Sequence, residues 1–280
     1  DLGACMLRYE HGGNIYDSKV KLDFSVNVNP LGMPEAARWA VVEQLDALTH
    51  YPDHCCGALR EALARKHGIP SEVILCGNGA AELIFRICAC LKPKRALTLA
   101  PTFSEYERPV ELFGGEMLEY RLSEAEGFAL TDGIFSALTS DIELLFLCNP
   151  NNPTGRLAPF DLVCHIAKAC ERNGTLLLVD ECFIEFTKGA SMVPLLRDFP
   201  NLLILNAFTK FYGLAGLSLG YLLGNAALLS HIAAFGPEWS VSVAAQAAGL
   251  GALAEPSWAE HTREIVQAEK AFMEAELAAL

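Results

Sequence analysis

Asn206–Tyr221, NAFTKFYGLAGLSLGY, follows directly on Leu202–Leu205, an apolar run of strand length. Lys210 therefore stands just past a strand that the pattern predicts to be buried. Lysines are ordinarily solvated surface charges. This one has Phe208, Phe211, Tyr212 and Leu214 as neighbours, while Gly213, Gly216 and Gly220 permit close backbone approach. An amine held in apolar surroundings loses proton affinity and becomes nucleophilic, as Schiff-base chemistry with a carbonyl cofactor requires.

Thirty residues upstream, Thr175–Val179 is a second apolar strand pattern, and it ends abruptly in Asp180 and Glu181. In an open parallel sheet the ligand crevice lies beyond the carboxyl ends of the strands, so an acid there faces the site. Asp180 reads plainly as an acidic strand end. In functional terms it is a partner for a protonated ring nitrogen, such as the pyridinium of pyridoxal phosphate. Two strands ending in the same crevice would set Lys210 and Asp180 together.

A chain of 280 residues that is 52% hydrophobic has enough apolar surface for a large core. Lys+Arg 21 against Asp+Glu 34 leaves a net charge of -13 with no basic run, which argues against a nucleic-acid partner. An anionic ligand must then be held locally, for instance by a helix N-terminus. Ten cysteines without matched CxxC pairs predict a reducing, cytoplasmic setting and no metal site. The opening DLGACMLRYEHGGN carries no apolar signal segment. Leu214–Ala234 is apolar but interrupted by Ser218, Asn225, Ser230 and His231, so it reads as core and not as a membrane span.

Taken in order, the chain begins with HGGN at 11–14 and DFSVNVNPLG at 23–32, a turn whose asparagine amides can also hold a polar ligand. Pro34 opens a helix to about Leu48 with Trp39, Val42 and Leu45 on one face, and Ala58–His67 forms another that Gly68 closes. From Glu72 the pattern becomes strand, polar turn, helix. Gly77-Asn78-Gly79 before a helix over Ala80–Leu91 is a phosphate-cradle pattern, because backbone N–H groups at a helix start face an anion. Phe103, past the strand Ala96–Leu99, is either core or a platform for a flat heterocycle. Leu144–Cys148 runs into Asn149–Gly155, NPNNPTG, a rigid turn. A helix over Phe160–Asn173 stops at Gly174. Strand ends near 76, 99, 148, 179 and 205 predict an α/β fold, a mostly parallel central sheet with helices on both faces. After Trp239 the pattern is helical, and Ser257–Leu280 is a long amphipathic stretch.

GNG, APTF, NPNNPTG, DE and TK at these spacings resemble the fold-type I pyridoxal-phosphate enzymes, the aspartate-aminotransferase superfamily, over about residues 11 to 245. The resemblance implies pyridoxal 5'-phosphate as cofactor, Lys210 as the lysine that carries it and Asp180 as the partner of its ring nitrogen. Phe103 would stack on the ring and Asn152 bond its phenolic oxygen. Gly79 and Ala80 would hold the phosphate, with Tyr51 reaching the partner subunit's site in a homodimer. Within the superfamily, HGGN, LDFSVNVNPLGMP, DECFIEF and FTKFYGLAGLSLGY are most similar to the threonine-phosphate decarboxylases. That similarity implies decarboxylation of L-threonine O-3-phosphate to (R)-1-amino-2-propanol O-2-phosphate in cobalamin biosynthesis. His11, Gly12, Asn27 and Asn152 would contact this substrate. Histidinol-phosphate aminotransferases carry a tyrosine where Phe183 stands here.

Two positions depart from the family pattern: Ser218 stands in place of an arginine that grips the cofactor phosphate, and Ala207 in place of a Ser or Thr. The expected domains are an N-terminal arm over 1–33, a large cofactor-binding domain over 34–245, and an interdomain helix over 246–280 opening a C-terminal small domain that is largely absent. The competing expectations are a histidinol-phosphate-type aminotransferase and a cofactor-binding protein with impaired catalysis.

Overall fold

The computed structural model describes residues 12, 13, 15, 16 and 20–279. Seven strands form one sheet: β1 (Ile74–Gly77), β2 (Arg95–Ala100), β3 (Glu116–Arg121), β4 (Leu144–Cys148), β5 (Leu176–Asp180), β6 (Leu202–Ala207) and β7 (Gly220–Leu223). Their spatial order is β1-β7-β6-β5-β4-β2-β3, and only β7 runs against the others. The α/β class and the mostly parallel sheet agree with the sequence pattern.

Strands β4 and β6 are buried at every position, as continuous apolar runs covered on both faces must be. Alternate side chains feed two cores. Leu145, Leu147, Leu177, Val179 and Ile204 meet helices α2 (Gly57–His67), α5 (Phe160–Asn173) and α7 (Val243–Leu253) on one side. Phe146, Cys148, Leu178, Leu203 and Leu205 meet α3 (Gly79–Leu91), α4 (Glu107–Leu112) and α6 (Ala226–Ala233) on the other. By the same alternation Asp180 falls on the α3 and α4 side, two residues after Leu178.

Two strands were not foreseen. β3 is an edge strand, EMLEYR, whose exposed glutamates break up any apolar run. β7 lies within the apolar window 214–234, which conceals where strand gives way to helix α6. Helix α1 (Glu35–Glu43) is also shorter than expected and turned over. It packs small Ala37 inward near α7, while Trp39, Val42 and Leu45 are exposed. The last helix, α8 (Pro256–Ala278), follows the predicted amphipathic stretch. No helix among the described residues is long and apolar enough to cross a membrane.

Candidate active site

The parallel strands deliver their carboxyl ends to one edge of the sheet, and Asp180 and the Lys210 loop follow two of those ends. Asp180 closes β5 and is only 5% exposed. Burial raises its proton affinity, and hydrogen bonds from the Cys182 thiol, the Cys182 N–H and the Tyr106 hydroxyl oppose that rise by favouring the ionised form. The Tyr106 hydroxyl donates to Oδ2 at 2.7 Å, and the backbone N–H of Cys182 to Oδ1 at 3.0 Å. The neighbouring acid, Glu181, is not part of this group: it accepts from Ser191 Oγ and from the Met192 N–H. Burial pushes Glu181 up to about 7.

Lys210 follows β6 and is half-buried. Burial lowers the affinity of its amine for a proton, against a smaller opposite pull from Cys182. The Cys182 thiol is held far above its usual range by burial first and by the Asp180 charge next, while Lys210 draws it slightly down. One thiol thus feels both the amine and the acid. The Lys210 loop is clamped by Asn29, whose backbone N–H donates to the Lys210 carbonyl at 3.0 Å. The Asn29 side-chain amide donates to the Phe211 carbonyl at 2.7 Å and to Thr262 Oγ1 of α8 at 3.0 Å.

The downstream end of the same loop packs on the predicted phosphate cradle. Gly79 has φ +84, a region that only glycine enters freely, and no side chain caps the start of α3. A Cβ on Gly79 would sit 3.5 Å from Ser218 Oγ. One on Gly220 would come within 2.8 Å of the Gly79 carbonyl carbon and 2.9 Å of the Ala80 nitrogen, so β7 approaches the turn only because position 220 has no side chain. Asn78 N–H is taken by Glu82, whose charge Arg86 balances.

Asn27, Asn152 and Phe183 line one cleft of about 320 Å³, together with Asn151 and Phe186. In the NPNNPTG turn it is Asn151 that does the bracing, accepting from Thr102 Oγ1 at 2.7 Å and donating to the Pro101 carbonyl at 3.0 Å. The Asn152 side chain is left to the cleft. Phe103 packs by an edge contact on Tyr106, centroids 5.5 Å apart. Gly12 lies against Ser25 and is not a lining residue of the cleft. Tyr51 is 80% exposed and stacks on Trp239 at 4.6 Å, away from the cleft of its own chain. His11 lies outside the described residues.

Sequence reasoning passed over Tyr106 and Asn29. Tyr106 stands one helical turn after Phe103, and Asn29 precedes a proline in a stretch already read as a turn, so neither carried a signal of its own. A larger cavity of about 690 Å³ holds none of the predicted residues, and its Lys66 is bonded to Glu185 and to the Tyr212 hydroxyl. Asp53, His54 and Cys55 bring their ligand atoms within 4.8 Å of one another, but Asp53 already accepts from the N–H groups of Cys55 and Gly57.

An amine of lowered basicity, a buried carboxylate, an uncapped helix start and a free amide are the donor types at the ends of β5 and β6, the start of α3 and the NPNNPTG turn. The family described as Aminotransferase class I and II matches residues 19–280. The threonine-phosphate decarboxylase of Salmonella typhimurium is 41% identical over 90% of this chain and 72% of its own length. Among solved structures, the histidinol-phosphate aminotransferase from Clostridium acetobutylicum matches with a TM-score of 0.83 at 27% identity, over 90% of this chain and 76% of that one. The L-threonine-O-3-phosphate decarboxylase from Porphyromonas gingivalis matches with a TM-score of 0.73 at 27% identity, over 83% and 69%.

Proposed function

The chain belongs to the class I and II aminotransferase family, and from that premise we propose that it is a pyridoxal-phosphate-dependent carboxy-lyase. Its substrate in this reading is L-threonine O-3-phosphate and its product (R)-1-amino-2-propanol O-2-phosphate, an intermediate of cobalamin biosynthesis. One observation carries the cofactor assignment: a half-buried amine after β6 and a buried acid closing the adjacent β5, both felt by the thiol of Cys182. The relative at 41% identity carries the choice of reaction.

When bound, pyridoxal 5'-phosphate supplies a carbonyl carbon that takes up an amino group and an electron-poor ring that accepts the electron pair left by carbon dioxide. Lys210 would hold the cofactor through its amine and would be the group to return a proton to the substrate carbon. Asp180 would partner the ring nitrogen and favour its protonated form. Gly79 and Ala80 receive the phosphate at the start of α3, where the helix dipole favours an anion. Phe103 would cover the ring, and Asn152 would donate to its phenolic oxygen. His11, Gly12, Asn27 and Asn152 are assigned to the substrate, and Phe183 to the cofactor. Phe183 brings no hydroxyl to the phenolic oxygen, which suits a lyase better than an aminotransferase.

We assign residues 34–245 to the cofactor-binding domain, 1–33 to an N-terminal arm and 246–280 to a helix between domains. Tyr51, exposed beside Trp239, is assigned to the neighbouring subunit's phosphate in a homodimer. Cytoplasmic residence fits the nine free cysteines among the described residues.

The second reading, an aminotransferase acting on histidinol phosphate, draws on the higher shape similarity to such an enzyme, 0.83 against 0.73. Shape is common to the whole family and does not distinguish its reactions. Incubating the cofactor-loaded protein with O-phospho-threonine and following carbon dioxide separates the two. Release without a keto acid supports the lyase, whereas turnover only with 2-oxoglutarate would replace it with the aminotransferase.

A further inference from the structure

We propose that Tyr106 is a positioning residue that sets where the proton shared by Asp180 and the cofactor's ring nitrogen resides, and that it holds Phe103 in register with that contact. This rests on the cofactor reading above. Tyr106 is 1% exposed, and its ring is fixed from two sides. It stacks on Phe146 of β4 at 4.8 Å and 17°, and meets Phe103 nearly at right angles, at 80°. The hydroxyl is thereby directed at Asp180 Oδ2, 2.7 Å away.

A buried carboxylate facing a basic ring nitrogen shares one proton with it, and the proton rests on either the oxygen or the nitrogen. A low-polarity surrounding favours the neutral arrangement, with the proton on the carboxyl group. Donors to the carboxylate favour the ionic arrangement, with the proton on the ring. The donors that face Asp180 are Tyr106 O–H and the Cys182 N–H, together with the Cys182 thiol. Cys148, at the end of β4, faces the same pocket, and burial pushes its thiol up to about 12. The Cys182 thiol is held higher than usual as well, so neither adds a negative charge. Lys210 acts on the Cys182 thiol and is not among the groups that shift Asp180. Among the described residues no arginine or lysine forms an ion pair with Asp180. The tyrosine hydroxyl, 2.7 Å from Oδ2, is therefore a neutral side-chain donor that works on this acid alongside the Cys182 thiol and N–H. One ring also connects the residue assigned to the cofactor's face with the residue assigned to its nitrogen.

A charge-assisted hydrogen bond of this kind shifts the proton distribution by about 10- to 100-fold. The test is Tyr106→Phe, which keeps the ring and removes the hydroxyl, loaded with pyridoxal phosphate isotopically labelled at the ring nitrogen and read by nitrogen NMR. The wild-type protein is expected to give the signal of a protonated ring nitrogen, and the variant to move toward the unprotonated one. With O-phospho-threonine, kcat is expected to fall by roughly 10-fold or more while KM stays within about twofold. If Tyr106→Phe does not fold, para-aminophenylalanine at position 106 keeps the shape with a weaker donor, and its signal is expected to move the same way. A ring-nitrogen signal unchanged in either variant, while Asp180→Asn shifts it, would overturn the role of Tyr106 and leave the cofactor reading intact. A wild-type protein that takes up no labelled cofactor would overturn both.

Discussion

The backbone N–H of Asn29 donates to the carbonyl oxygen of Lys210 at 3.0 Å, so the segment carrying the amine is held by a residue from the far end of the chain. Asn29 is itself buried, and its side chain donates to Phe211 and to Thr262 of α8. Replacing it by alanine leaves those acceptors buried without a partner, at a cost of about 1–3 kcal/mol. Asn29→Ala is expected to lower the urea midpoint accordingly and to slow cofactor uptake. Full stability in the variant would show that the clamp is redundant.

Lys210→Arg keeps a positive charge in the loop and removes the nucleophile. The wild-type protein is expected to form a visible absorbance band with pyridoxal phosphate, and borohydride to fix the cofactor on the peptide containing Lys210. The arginine variant should give neither. Because burial lowers the lysine's proton affinity, uptake by the wild type should reach half its limiting rate at a pH below the ordinary lysine range. Mass mapping of a different modified lysine would refute the assignment.

Glu181 should give folding stability a pH dependence of known sign. Burial raises it from 4.5 to about 7, so the folded chain keeps a proton that the unfolded chain has lost in that interval. Its contribution is complete below the unfolded value and is lost as pH rises through about 7, by up to roughly 3 kcal/mol. Glu181→Gln retains an acceptor for the Met192 N–H and has no charge to bury. It should flatten the stability profile between about pH 5 and 8 and be the more stable form at the upper end. Urea unfolding of both proteins across that range decides it; parallel profiles would contradict the prediction.

Ser218 stands beside Gly79, where the family pattern has an arginine for the cofactor phosphate. Ser218→Arg is expected to tighten pyridoxal-phosphate binding by about 10- to 100-fold. The left-handed backbone at Ser218, φ 51, takes back part of that gain. Fluorescence titration of the cofactor-free protein measures it. Unchanged affinity for pyridoxal phosphate would mean that the phosphate lies elsewhere.

Much of the fold was legible because parallel strands covered on both faces must be uninterrupted apolar runs. β4, β5 and β6 therefore announced themselves, and the polar residues at their carboxyl ends, Asp180 and Lys210, announced the crevice with them. β3 was hidden because an edge strand has one wet side, and α1 was misjudged because its buried face is made by the small Ala37 while its bulky side chains point outward.

What the sequence alone determined is the alternation of strand and helix and the residues at each strand end, since periodicity and chain breaks are local properties. Only the tertiary structure decided that Tyr106 meets Asp180, that Asn29 clamps Lys210, and that Gly220 lets β7 reach the Gly79 turn. Those are contacts between segments far apart in the chain, fixed by strand order and packing, and no local pattern encodes which neighbour a buried hydroxyl or amide will find.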